Sequence, residues 1–172
     1  MAECLDTTAV VVTNNTLDGG GGTDTLTGGT GNDTYIVDTF LDVIVEAASA
    51  GTDTVISAES YIFHANVENV TLTGTGGFGV IGNELANIIT GNTGGNGIDA
   101  GLGNDTIASG DGNDTIIGGA GDDSMTGGNG VDTYFVDSTG DAVVETDLSP
   151  TAFDTIWTTV TLTLPVGVEI LI

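Results

Sequence analysis

The sequence predicts an all-β fold, a parallel β-solenoid whose unit is a nonapeptide, and three observations predict it. Nine-residue units with Gly at places one, two and four, Asp at six and a large apolar residue at eight recur in one frame. A longer repeat sets VDTFLDVIVE (37–46) against VDSTGDAVVE (136–145) at an offset of 99 residues, eleven nonapeptides. Between the nonapeptides, apolar and polar residues alternate at period two, and no stretch shows helical periodicity.

Taken in order, residues 1–45 hold N-terminal rungs. GGGGTDTLT (19–27) and GGTGNDTYI (28–36) are well-formed units, and residues 10–18 and 37–45 are degenerate ones that keep Asn15 and Leu17, and Asp42 and Ile44. Residues 46–81 form an intervening β segment containing TDTVIS (52–57) and VENVTL (67–72), in which apolar and polar residues alternate through Val55 and Ser57 and, between the two, through Tyr61 and Phe63. The main roll spans 82–144: six contiguous nonapeptides from GNELANIIT to GGNGVDTYF, then a degenerate rung with Asp141 and Val143. Residues 145–172 are a second copy of the intervening segment, FDTIWT and VEILI, at an offset of 101 after an insertion around Pro150. Its Ile156, Thr158, Val160, Leu162 and Leu164 read as one strand.

Glycines allow a tight turn at positive φ, and the residues after the Asp form a short strand with one side chain inward. Each nonapeptide is then a half-turn and two close an 18-residue coil. This frame predicts that Leu26, Ile44, Ile89, Ile107, Met125 and Val143 stack on one inner side and Ile98, Ile116 and Tyr134 on the other. Phe63, Phe153 and Trp157 are read as filling the core or flanking the roll rather than as a sugar platform.

Successive coils lie ~4.8 Å apart, so place-six carboxylates 18 residues apart become neighbours. At ~5 Å and an effective dielectric near 20 they repel by about 3 kcal/mol per pair, too much to repeat along an edge of a marginally stable fold. The chain has 25 Asp plus Glu and no Lys or Arg, a formal net charge of -25, against a mean hydropathy of +0.24. The charge therefore needs a counterion. Oxygen-only ligands in a flexible shell select a hard cation and favour Ca²⁺ over Mg²⁺. The strongest pairs are Asp24 with Asp42, Asp105 with Asp123, Asp123 with Asp141, and Asp114 with Asp132. Asn15 with Asp33, Asn87 with Asp105 and Asn96 with Asp114 carry less charge and are expected to bind more weakly. Several ions are expected, with folding coupled to their binding.

The absence of basic residues excludes a P-loop, a Schiff-base lysine, an arginine clamp and any basic footprint for nucleic acid or anionic membrane. The single Cys4 makes no internal disulfide, and no Cys/His cluster offers a zinc site. His64 has no catalytic companions and is read as structural or solvent-facing, and no nucleophile elbow or triad base is present, so no catalytic residue and no enzyme activity are expected. The N-terminus has neither the charged region nor the apolar core of a secretory signal, and no membrane insertion is expected.

The nonapeptides, above all GGTGNDTYI and GGAGDDSMT, resemble the RTX, or haemolysin-type, calcium-binding repeat GGxGxDxUx, with U a large apolar residue. Residues 37–72 and 136–172 are also similar to segments that alternate with such repeats in large bacterial secreted proteins. The resemblance implies a right-handed parallel β-roll, disordered at low calcium, exported by type I secretion without a signal peptide and folded outside the cell or at its surface. The chain departs from the pattern at 82–90, which lacks Gly at places two and four, at 87 and 96, where Asn replaces Asp, and in the loops before Asp42 and Asp141, which have lost most glycines; a purely structural role stays open for those coils. The primary expectation is a calcium-stabilised extracellular structural repeat protein. It would self-associate head to tail into a fibre or surface layer, with residues 5–18 continuing a neighbour's roll. The alternatives are an accessory secretion and folding module of a larger secreted enzyme or toxin, and a polysaccharide-binding module.

Overall fold

A computed structural model describes residues 14–147 and 152–172. Cys4, most of the 5–18 stacking segment and the insertion around Pro150 lie outside the described residues. Among those described, every regular element is a short strand. In chain order these are β1 (Thr16–Asp18), β2 (Thr25–Leu26), β3 (Thr34–Val37), β4 (Val43–Ile44), β5 (Thr54–Ser57), β6 (Tyr61–Ile62), β7 (Asn69–Leu72), β8 (Gly79–Ile81) and β9 (Ile88–Thr90). There follow β10 (Gly97–Asp99), β11 (Thr106–Asp111), β12 (Thr115–Ile117), β13 (Ser124–Asn129), β14 (Thr133–Val136), β15 (Ala142–Val144), β16 (Asp154–Thr158) and β17 (Val168–Leu171).

Chain direction is the same in every pairing, so the architecture is the expected parallel β-solenoid. The odd-numbered strands from β1 to β15 make one eight-stranded sheet; the even-numbered strands from β6 to β16, with β17 at the edge, make a seven-stranded one; β2 pairs with β4 alone. The chain thus crosses from side to side at each half-turn. Every nonapeptide supplies one strand, whose place-eight residue points inward and whose neighbours point outward.

The core is two columns of these inward residues. Leu17, Tyr35, Val55, Val70, Ile89, Ile107, Met125 and Val143 stack in register on one side. On the other stand Tyr61, Val80, Ile98, Ile116, Tyr134 and Ile156. All are buried, and each contributes about 1.5–3 kcal/mol by leaving water.

This arrangement corrects the expected placing of Leu26 and Ile44. They pair with each other, while the column that reaches Ile89 begins at Leu17 and Tyr35. The 45 residues between Ile44 and Ile89 amount to five half-turns, an odd number, so the two fall on opposite sides.

The glycines divide their labour. Those at places two and four, Gly94 excepted, have positive φ, as at Gly101 (101°) and Gly103 (116°), a conformation L side chains rarely adopt. The place-one Gly127 serves by its size instead: a Cβ there would lie 2.2 Å from both Asp132 Oδ2 and Tyr134 Oη.

In the two intervening segments, β5 and β16 end at equivalent turns. Ser57 Oγ accepts from the Glu59 amide at 3.2 Å, and Thr158 Oγ1 from the Val160 amide at 3.1 Å. The strand expected to continue through Val160, Leu162 and Leu164 therefore stops at Thr158, and Val160 and Leu162 pack against the core from outside any strand. Phe63 is buried as expected. Trp157 and Phe153 are not: they are 46% and 55% exposed, because both flank the inward-pointing Asp154 and Ile156 and so fall on the outer face of β16 and its approach. His64 is half-buried, its Nδ1 is 3.1 Å from the Tyr61 hydroxyl, and burial lowers its pKa, consistent with a structural neutral imidazole.

Candidate metal centre

Place six is where one coil grips the next. Its carbonyl accepts the place-seven amide one coil on, as in Thr106 N to Asn87 O at 2.8 Å and Thr133 N to Asp114 O at 2.9 Å. Its own amide donates to the side chain of the place-six residue one coil on. Asp24 N donates to Asp42 Oδ1 at 3.0 Å, Asp105 N to Asp123 Oδ1 at 2.8 Å, Asp123 N to Asp141 Oδ1 at 3.0 Å, and Asp114 N to Asp132 Oδ1 at 2.8 Å. Asn15, Asn87 and Asn96 donate in the same way to Asp33, Asp105 and Asp114, each at 2.7 Å. All the expected pairs are therefore brought together, by an amide-to-carboxylate bond that the repulsion argument had not included.

The ladders extend beyond the 18-residue rule. Asp33 N donates to Asp53 Oδ1 and Asp132 N to Asp154 Oδ1, both at 2.7 Å, over 20 and 22 residues. Asp53 N then donates to Glu68 Oε2 at 2.7 Å and Asp154 N to Glu169 Oε2 at 2.9 Å, each over 15 residues. Constant spacing could not find these four acids; the shared DTV/DTI and VEN/VEI tripeptides of the long repeat were the available signal. A second ladder, on the exposed side, joins place-five asparagines: Asn14 Oδ1 accepts from Asn32 N, Asn104 Oδ1 from Asp122 N and Asn113 Oδ1 from Val131 N.

One oxygen of each accepting carboxylate is thereby occupied, and in most of the ladder aspartates the other is not. The Oδ2 atoms of Asp24, Asp33, Asp42, Asp105, Asp123, Asp132 and Asp154 are buried and have no hydrogen-bond donor. Asp141 differs, since its Oδ2 accepts from the Asp137 and Ser138 amides at 3.1 Å within its own loop. A buried anionic oxygen without a partner is costly. Burial accordingly pushes Asp105 up to about 6, against the Asn87 amide and helped by the Asp123 charge, and Asp132 up to about 7. Asp114 and Asp123 shift upward for the same first reason.

The place-one glycines press against these free oxygens. An ideal Cβ would lie 2.1 Å from Asp33 Oδ2 at Gly28 and 2.3 Å from Asp123 Oδ2 at Gly118. Donorless carboxylate oxygens in a chain without Lys or Arg fit a hard divalent cation; nitrogen and sulfur ligands play no part in the rows.

The comparisons agree with this chemistry. The RTX calcium-binding nonapeptide repeat matches in four copies, at residues 13–39, 81–116, 99–134 and 108–141, a little over half of the chain. Two curated relatives, both from Rhizobium meliloti (strain 1021), share part of the sequence. The chain is 40% identical over 81 residues to the endo-1,3-1,4-beta-glycanase ExsH, covering 47% of this chain and 15% of that protein. It is 43% identical over 60 residues to the endo-1,3-1,4-beta-glycanase EglC, covering 35% of this chain and 13% of that protein. Repeat frame, parallel solenoid and rows of place-six carboxylates make the chain a member of the RTX calcium-binding nonapeptide repeat family.

Proposed function

We propose that the chain is a non-catalytic module of an extracellular protein whose solenoid is clamped shut by several calcium ions. The observation that carries this reading is the set of buried, donorless Oδ2 atoms along both carboxylate ladders. Asp24 and Asp42, Asp105 and Asp123, and Asp114 and Asp132 are the principal ligands. Asp33 and Asp141 contribute beside them, and Asn15, Asn87 and Asn96 offer neutral oxygens at the weaker coils. Calcium there supplies positive charge to oxygens that the fold leaves uncompensated, and so couples coil closure to binding.

The test starts in chelator and titrates calcium, with magnesium as control, read by far-UV circular dichroism and Trp157 fluorescence. A cooperative gain of β structure with calcium alone is expected. Full β structure in chelator, unchanged by calcium, overturns the reading.

The partial matches to two glycanases support an accessory role within a larger enzyme, and membership of the RTX repeat family supports secretion and folding outside the cell. Head-to-tail self-association is the competing role. Light scattering at high protein concentration in millimolar calcium separates them: growth with concentration supports a fibre, and a monodisperse species supports the accessory module.

A specific surface favours contact with polysaccharide as well. Phe135 and Trp157 are adjacent on the outer face of the seven-stranded sheet, with ring centroids 6.5 Å apart and planes at 13°. They flank an apolar cleft of about 450 Å³ with Ile117 and Ile172. A neutral glycan suits such a platform better than an acidic one, which the net charge repels. Calorimetry with neutral β-glucan, on the native chain and on Trp157→Ala, tests it.

A further inference from the structure

Two acids outside the nonapeptide frame stand where each intervening segment begins. Glu46 and Glu145 are buried, and each follows a place-one glycine, Gly28 or Gly127, by 18 residues. The carboxylate oxygens of Asp33, Glu46 and Asp53 lie within 4.8 Å of one another, as do those of Asp132, Glu145 and Asp154. The two trios are equivalent under the long repeat.

The surroundings are equivalent too. The Tyr35 hydroxyl donates to Glu46 Oε1 and accepts from the Gly28 amide at 2.9 Å; the Tyr134 hydroxyl donates to Glu145 Oε2 at 2.7 Å. Each tyrosine thus orients its glutamate. Asp132 and Asp154 are wholly buried and Asp33 and Asp53 are 1% exposed. Oδ2 of Asp33, Asp132 and Asp154 has no donor, and the first two are beside Gly28 and Gly127, against the tyrosine hydroxyl that holds the glutamate.

Three carboxylates in one buried place carry three formal negative charges, and the chain has no lysine or arginine to meet them. A shared proton removes one charge and leaves two in a medium of low dielectric. We propose that Asp33, Glu46 and Asp53, and likewise Asp132, Glu145 and Asp154, are two further calcium sites, each locking a regular rung to the longer coil that follows it. The donor set is all oxygen, as a hard cation requires. Two acids of each trio, Glu46 with Asp53 and Glu145 with Asp154, lie outside the repeat consensus, so these sites can fail while the clamped ladders stand.

The experiment counts calcium bound to the full chain by equilibrium dialysis with atomic emission, for the native protein and for Glu46→Gln/Glu145→Gln. Glutamine keeps an acceptor for each tyrosine, and far-UV circular dichroism in saturating calcium reports whether the variant keeps its β structure. The variant is expected to lose two ions and retain the rest. An unchanged count with unchanged affinity overturns the proposal, whereas no binding by the native chain overturns the ladder reading as well. If the double variant does not fold, Glu46→Gln and Glu145→Gln are counted singly: each is expected to lose one ion, and the native count in both overturns the proposal.

Discussion

The amide of Asp114 donates to Oδ1 of Asp132, 2.8 Å away and 18 residues on, while Oδ2 of the same carboxylate has no donor. The first oxygen serves the fold, and the second is left for the cation proposed above. Charge and hydrogen bonding at place six can therefore be separated by mutation.

Asp123→Asn keeps an oxygen for the Asp105 amide and removes the charge, so it is expected to weaken calcium binding with little loss of cohesion between coils. Asp123→Ala leaves the amide unsatisfied and is expected to cost about 1–3 kcal/mol more. Denaturant melts in saturating calcium, paired with calcium titrations, check the contrast.

Acidity acts oppositely on the calcium-free and calcium-bound forms. Glu46, Asp105, Asp132 and Asp154 are raised to about 6 or 7 from ordinary values near 4, chiefly by burial. The folded calcium-free chain therefore holds more protons than the unfolded one between about pH 4 and pH 7, and its stability falls as pH rises through that window. In chelator, β structure is expected to be greater at pH 5 than at pH 7.5 by circular dichroism. Calcium affinity is expected to move the other way, because protons compete for the same oxygens.

Glycine positions differ sharply in what they tolerate. Gly127→Ala drives a Cβ to 2.2 Å from Asp132 Oδ2 and Tyr134 Oη and is expected to cost about 1–3 kcal/mol. Gly97, inside β10, has open space around its Cβ position and no positive φ. Gly97→Ala is expected to stabilise by about 0.5–1 kcal/mol. Thermal melts of both variants in calcium provide the comparison.

Adjacent residues of β16 should separate stability from surface function. Ile156→Ala opens the wholly buried core and is expected to cost about 2–5 kcal/mol. Trp157→Ala removes an exposed ring stacked on Phe135, worth about 0.5–1.5 kcal/mol, and its larger effect is expected on glycan binding. Denaturation and calorimetry on the two variants decide this.

The fold class and the place-six pairs are legible in the sequence because the nonapeptide spacing is constant: Asp105, Asp123 and Asp141 must align if Ile107, Met125 and Val143 do. Legibility fails where coil length changes. Asp53, Glu68, Asp154 and Glu169 enter the ladders over 20, 15, 22 and 15 residues, and no fixed period finds them. Sidedness is equally fragile, since one uncounted half-turn sends Leu26 and Ile44 across the core. Trp157 is exposed for a simpler reason: neighbours on a strand face opposite ways, and Ile156 has the inner place.

The unequal coils of the intervening segment have a consequence for how such a chain can change over time. Tyr35 pairs with Val55, Val55 with Val70, and Val70 with Ile89, and the ends of this path are 54 residues apart, the length of three regular coils. Irregularity is thus confined within the segment and cancels across it. Rungs before and after remain in phase, like a thread that resumes at the same angle beyond a flaw. A whole segment can be copied, moved or lost without turning downstream aspartates away from their partners, so the array can lengthen by genetic duplication without re-optimising its ladders.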